Sequence, residues 1–394
     1  MSSIFISYMR KARLIFLIST LFLILFLASV DNQMLIPLLP ALSSDFGVAV
    51  EKVAWVFSLY AISASVFNLL LGPLTDRWGR VLFLKLGLIG FSVLAFATYR
   101  ATTYGDLLWL RAGTGIASGL LSTCTAGLVG DFFPYQRRGR IMGIVLSSYF
   151  VALILGLPLG TWIAEGWHWR TVFFCSGMLA AALALVSLGL PRQPDLKQSE
   201  GVQFKIYLDF LRERDTRSAL VVSFVVAGGT LAFLVFLSNY LHQSFGLSPF
   251  EISWIFLTAG IAAFLGSLVS GWVSDRWSKR RVFLVFNSLF ALALLGIHQF
   301  SWGAALMLVF FFISLCVSFR QTALHTLQTE LVTEQRRGTY LALRNSASQL
   351  GIAVFVLVAG SLNRQLGFGG VTALVALSAV GTSLLFFKTI REPG

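Results

Sequence analysis

"GPLTDRWGR" at positions 72–80 and "GWVSDRWSKR" at 271–280 spell nearly the same polar phrase twice, in a chain of 394 residues that is 57% hydrophobic. The two copies start 199 residues apart (271 − 72), close to half the chain. The same offset carries Phe46-Gly47 onto Phe245-Gly246 and Trp55 onto Trp254. It also carries Asp131 onto Glu330 and Arg137-Arg138-Gly139 onto Arg336-Arg337-Gly338. One spacing that persists from Phe46 to Gly139 without a gap marks two copies of one unit.

The composition places those units in a bilayer. Charged residues are 12% of the chain, about half of ordinary usage. Apolar runs long enough to cross a hydrocarbon core of about 30 Å recur throughout. Backbone groups in lipid must bond internally, so these runs are expected to be helices. Twelve are predicted, near 14–37, 51–73, 81–100, 105–133, 141–163, 169–190, 218–243, 249–274, 281–300, 303–330, 338–362 and 369–389. The fold class is therefore an all-α membrane protein, built of two six-helix bundles as parallel pseudo-repeats. Its expected parts are a bundle over 1–190, a linker over 191–217 and a second bundle over 218–394. Phe204, Tyr207, Leu208 and Leu211 recur at helical spacing in the linker, which suits a segment lying on the membrane surface. The first apolar run follows Arg10, Lys11 and Arg13, but it is longer than a signal sequence and is read as a retained helix.

The formal charge of +13 does not indicate a nucleic-acid partner, because the Lys and Arg residues sit in short clusters between apolar runs. With the N-terminus inside, 24 of the 30 lie in or beside cytoplasmic segments. Lys52, Arg100, Arg170 and Arg364 fall outside and Arg111 and Arg320 within the runs, so both chain ends are expected in the cytoplasm. Cys124, Cys175 and Cys316 lie inside apolar runs with no ligand-like spacing. No metal, cofactor or ATP-binding motif is found, and no enzyme activity is expected.

"GPLTDRWGRV" resembles the loop signature of the major facilitator superfamily through Gly72, Leu74, Asp76, Arg77, Gly79 and Arg80. The second copy keeps Gly271, Asp275 and Arg276, but has Val273 and Ser278 in place of Leu and Gly. The resemblance implies alternating access between two halves. It also implies a cytoplasmic charge cluster of Asp76, Arg77 and Asp131, with Arg80, that latches the outward-open state. Asp275, Arg276 and Glu330 would form its twin. Gly72 is placed where two helices approach closely.

Charges within apolar helices are costly and normally mark function. Asp31 lies near the end of the first run, and Arg111 near the start of the fourth, at a similar expected depth of about 9 Å. "DNQMLIPLLPALSSDFGV" resembles the first-helix signature of drug:proton antiporters, where the acid takes up the proton. "LWLRAGTGIASG" resembles their fourth helix through Arg111, Gly115 and Gly119. Desolvation favours a neutral acid, while a nearby guanidinium favours an ionised one. A helix shift that separates Asp31 from Arg111 is thus expected to load or release a proton. Gln33, two residues on, is a candidate substrate contact. "GIVLSSYFVALILGLPLGTW" departs from the antiporter fifth-helix signature: Ala152 replaces a Gly, and Pro158 comes one residue late.

In the tenth run, Arg320 stands on one stripe with Gln321, His325 and Gln328. That stripe suits either contact with a charged part of a cargo or helix packing, and His325 offers a second proton site. The expected function is secondary active transport, as proton-coupled efflux of amphipathic, drug-like molecules. The alternative is a carrier for a lipid, sugar or organic anion using Arg320. Small molecules, protons and the bilayer are the expected partners of a monomer, and the antiporter resemblance implies a bacterial inner membrane.

Overall fold

The computed structural model describes residues 2–133, 135–191, 204–333 and 336–389. Side chains at 72, 73, 76 and 275 in the two loop phrases, and the 192–203 part of the expected linker, lie outside the described residues. Twelve of the described helices are long and apolar enough to cross a membrane. These are spans 1 to 6 (Ala12–Gln33, Val50–Leu71, Arg80–Tyr99, Tyr104–Phe132, Arg137–Gly166, Trp169–Gly189) and spans 7 to 12 (Arg214–Phe245, Pro249–Ser274, Lys279–Gln299, Ala304–Glu330, Arg337–Leu366, Phe368–Thr389). Local chemistry fixes several boundaries. Thr103 and Ser248 close capping boxes with Asp106 and Glu251 at the starts of spans 4 and 8. Gly47 and Gly246, one repeat apart, end their helices with φ of 61° and 67°.

The first span is not the simple helix the sequence predicts, and the fifth leaves regular α geometry beside Pro158. The first helix stops at Gln33, turns at Met34, and resumes as Leu35–Phe46. Pro37 has no N–H to give the Gln33 carbonyl, so the ladder is interrupted directly after Asp31-Asn32-Gln33. The fifth span holds a π-helical turn, Ala152–Gly156, before Leu157–Gly166. Pro158 again removes a donor, and the wider turn absorbs the mismatch. Gly260 of span 8 packs on this turn, where a Cβ would meet Leu153 Cβ at 3.0 Å.

The halves meet at one face more than at the other. One apolar core joins Leu39, Phe57 and Phe173 of the first half to Phe236, Phe256 and Val356 of the second. These residues lie toward the face opposite the chain ends, here called the far face. Toward the linker face each half keeps a core of its own, one around Leu84, Phe91 and Leu128 and another around Val222, Phe283 and Phe386. Hydrogen bonds tie the far face shut. Asn363 Nδ2 donates to Glu51 Oε1 at 2.9 Å, and the Phe250 N–H donates to Glu165 Oε1 at 2.9 Å. Nearer the middle of the membrane, Ser65 and Ser346 exchange hydroxyl-to-carbonyl bonds of 2.9 and 3.1 Å between spans 2 and 11. A shared core at one end and separate cores at the other leave the halves parted toward the linker face.

In the linker, Phe204–Arg212 is a helix, and among its described side chains Phe210 is buried. Phe210 meets the Tyr340 ring at 5.3 Å, while Leu208 and Leu211 are exposed. At the start of the sixth span, Trp167 is exposed and Trp169 is buried. The Trp169 indole donates to Asp45 Oδ2 at 3.1 Å beneath the Arg170 guanidinium, because the helix starts at Trp169 and turns that ring inward.

Candidate functional site

Span 4 brings Arg111 to the end of span 1. The Arg111 guanidinium donates to Asp31 Oδ2 at 2.5 Å, and each side chain is 1% exposed. A pair so buried is stabilised by its mutual charge only while both partners remain, and removing one typically costs about 3–5 kcal/mol. Asp31 Oδ1 and the Arg111 Nε and second terminal nitrogen make no hydrogen bond within the protein, so the pair is close but not saturated.

A third side chain completes the arrangement. A Cβ at Gly115 would stand 2.3 Å from the Tyr60 carbonyl oxygen, so only glycine admits span 2 this near to span 4. That approach lays the Tyr60 ring against the Arg111 guanidinium, 4.8 Å from its centroid, as a cation–π contact. The Tyr60 hydroxyl donates to Ser118 Oγ at 2.6 Å.

Tyr60 and Ser118 also line a cavity of about 230 Å³. Spans 1, 2, 4 and 5 form most of its wall, and Gln349 of span 11 closes it from the other half. Asn32 and Gln33 line it from the interrupted first helix. Gln33 is 4% exposed, and neither its amide nitrogen nor its amide oxygen has a hydrogen-bond partner. The cavity thus begins one residue away from the ion pair.

Arg320 occupies a different place. It donates to Asn287 Oδ1 at 2.8 Å and Thr230 Oγ1 at 2.5 Å, and its guanidinium lies 3.7 Å from the Phe290 ring centroid. All three partners belong to the second half, and Arg320 is absent from the wall of the 230 Å³ cavity. Gln328 is likewise bonded within that half, to the Ala219 carbonyl and Ser223 Oγ at 2.8 and 2.6 Å. Gln321 is half-buried and His325 exposed. The polar stripe is therefore divided: two of its members hold helices together, and the structure does not bring it to Asp31. Thr230 lies 199 residues after Asp31 (230 − 31), so the same position of each repeat meets an arginine.

The sequence profile of the Major Facilitator Superfamily matches residues 21–216 and 219–394. The chain belongs to the major facilitator superfamily. Among its relatives is the uncharacterized MFS-type transporter YceJ of Bacillus subtilis, 26% identical over 383 residues, covering 95% of this chain and 96% of the relative. The quinolone resistance protein NorA of Staphylococcus aureus is 24% identical over 352 residues, covering 88% and 89%. A crystal structure of a D-xylose-proton symporter has the same fold, with a TM-score of 0.76 at 16% identity over 96% of this chain and 98% of that one.

The charges of the superfamily's loop signature form a pair in each half. Asp131 takes a hydrogen bond from Arg80, and Glu330 pairs with Lys279 at 3.1 Å. Lys279 lies 199 residues after Arg80, so the two pairs are copies of one contact. The Arg80 guanidinium reaches Asp131 across Gly127, where a Cβ would stand 2.3 Å from Arg80 Nε, and donates to the Gly127 carbonyl at 3.1 Å. Arg77 is exposed, and Arg276 stacks on Trp272 at 3.9 Å. Gly72, Asp76 and Asp275 belong to the side chains outside the described set.

Sequence reasoning missed Tyr60, Ser118 and Gln349, because an isolated Tyr, Ser or Gln in an apolar run carries no period. Thr230 was findable from the repeat offset applied to Asp31.

Proposed function

We propose that this superfamily transporter couples protons to the efflux of amphipathic small molecules by alternating access. The single observation that carries the reading is the buried Asp31–Arg111 pair, one residue from a cavity with which it shares Tyr60. Protonation of Asp31 cancels its attraction for Arg111, and the guanidinium then has the Tyr60 face and its own free N–H groups to satisfy. Tyr60 carries that change to Ser118 in the cavity wall. Cargo against Asn32 and Gln33 acts on the same backbone from the other side. Proton and cargo thereby bias one element in opposite directions, as exchange requires.

The charge bias of the loops supports a cytoplasmic linker face, with both termini inside a bacterial inner membrane. Parting of the halves toward that face then corresponds to the state that receives cargo from the cytoplasm. The working unit is a monomer, with bundles over 1–190 and 218–394 joined by the linker over 191–217. A relative named as a quinolone resistance protein supports a drug-like cargo class.

The reading is tested in proteoliposomes under an imposed pH gradient, run against a chemically broad set of neutral, anionic and cationic compounds. Gradient-driven accumulation of an amphipathic compound, with matching proton movement, is expected. Movement of every tested compound down its own gradient alone, indifferent to pH, contradicts it.

A further inference from the structure

We infer that the cavity of this transporter is selective for uncharged molecules carrying both hydrogen-bond donors and acceptors, a choice made by the carboxamides of Asn32, Gln33, Asn68 and Gln349. The inference deepens the proposed function and rests on that reading only in taking the cavity as the cargo site.

Among the described residues, the cavity wall contains no Asp, Glu, Lys, Arg or His. Its polar groups are the four carboxamides together with serine and tyrosine hydroxyls, and each carboxamide offers donors and an acceptor at once. Such a wall matches a hydroxyl or amide on a ligand. It gives no counter-charge to an ammonium or a carboxylate, whose removal from water is then uncompensated. Asp31, one residue from the lining Asn32, is already paired with Arg111, and both are 1% exposed. Arg320 is held by Asn287 and Thr230 outside the wall.

Gln33 points to an occupant. It is 4% exposed, it lines the cavity, and both of its amide ends lack a partner, as does Asn32 Oδ1. A buried amide left unpaired costs free energy that a bound hydroxyl or amide recovers. Asn68 is committed differently: its Oδ1 accepts from Thr123 at 3.0 Å, which leaves its amide nitrogen as the donor for a ligand. Leu25, Ala28 and Leu146 supply the apolar side of the wall, so the complementary ligand has an apolar face as well.

The test is equilibrium dialysis of the full chain in detergent or nanodiscs, with no gradient, against three aryl glycosides of one size. They are 4-nitrophenyl β-D-glucoside (neutral), 4-nitrophenyl β-D-glucuronide (anionic) and the 4-nitrophenyl 2-amino-2-deoxyglucoside (cationic). The neutral member is expected to bind about tenfold more tightly than either charged one. Q33E and Q349E should each invert the order between the neutral and cationic members, while the isosteric shape keeps the fold intact, as checked by thermal stability. Equal or tighter binding of a charged member to the wild type overturns the assignment, as does failure of all three to bind, or Q33E leaving the ranking unchanged. Binding in the expected order by a protein that moves no protons supports the cavity assignment and contradicts proton coupling, so the two readings fail separately.

Discussion

Ser278 holds the backbone conformation that Gly79 holds one repeat earlier: φ 86° and ψ 127° against φ 99° and ψ 122°. Ser278 is the one non-glycine residue with positive φ among the described residues. The fold therefore demands this turn in both halves, between the second and third spans of each, although only the first copy has the residue suited to it. The serine hydroxyl caps the following helix through a 3.5 Å contact from the Arg281 N–H, a weak compensation.

Replacing Ser278 with Gly should relieve that strain. We expect a gain of about 0.5–1 kcal/mol, less what the lost cap contributes, and a loss of about 1 kcal/mol or more for Gly79→Ser. Thermal unfolding of the two purified variants in one detergent, compared with the wild type, measures both. Opposite signs are expected.

The charge pairs of the two loops should depend on the glycine beneath the first. Gly127→Val places side-chain atoms where the Arg80 guanidinium lies, so it should displace Arg80 from Asp131 without removing either charge. If the pair latches one state, Gly127→Val and Arg80→Gln should alter transport in the same direction and by a similar factor. The double variant should then add little to either. Initial rates of uptake into proteoliposomes give the comparison.

Tyr60 should matter more through its ring than through its hydroxyl. Tyr60→Phe keeps the face beside Arg111 and loses one hydrogen bond, typically worth about 0.5–1.5 kcal/mol. Tyr60→Leu removes the face and should uncouple proton movement from cargo. Proton-to-cargo ratios near wild type for Phe and well below it for Leu are expected.

Alternation of the halves should be stopped by one covalent bond. A Cβ at Gly360 would lie 3.6 Å from Glu51 Cβ, across the closed far face and within the usual span of a disulfide. The double variant Glu51→Cys with Gly360→Cys, in a background lacking Cys175, should cross-link on oxidation and lose transport. Reductant should restore it. Cross-linked protein that still turns over would mean that the halves need not part there.

The sequence exposed the number of spans and their pairing into repeats because both are written in runs and spacings, which survive without knowledge of neighbours. The burial of Trp169 was not legible, since lipid and bundle interior are equally apolar and a tryptophan suits either. The breaks at Met34 and at the π-helical turn were legible only as a loss of donors at Pro37 and Pro158. Where a helix absorbs such a loss depends on what packs against it, here Gly260 on the turn. Asp31 and Arg111 were found because charge in a hydrocarbon is costly. The cavity wall was not, because Asn, Gln and Ser are individually tolerated there.

The central claim is that Asp31 carries the proton, and Asp31→Asn tests it most directly. Asparagine keeps the shape and can still accept a hydrogen bond from Arg111, but it does not titrate. Reconstituted Asp31→Asn should exchange cargo across the membrane while failing to accumulate it against a gradient or to move protons. Accumulation and proton flux at the wild-type ratio in that variant would contradict the account.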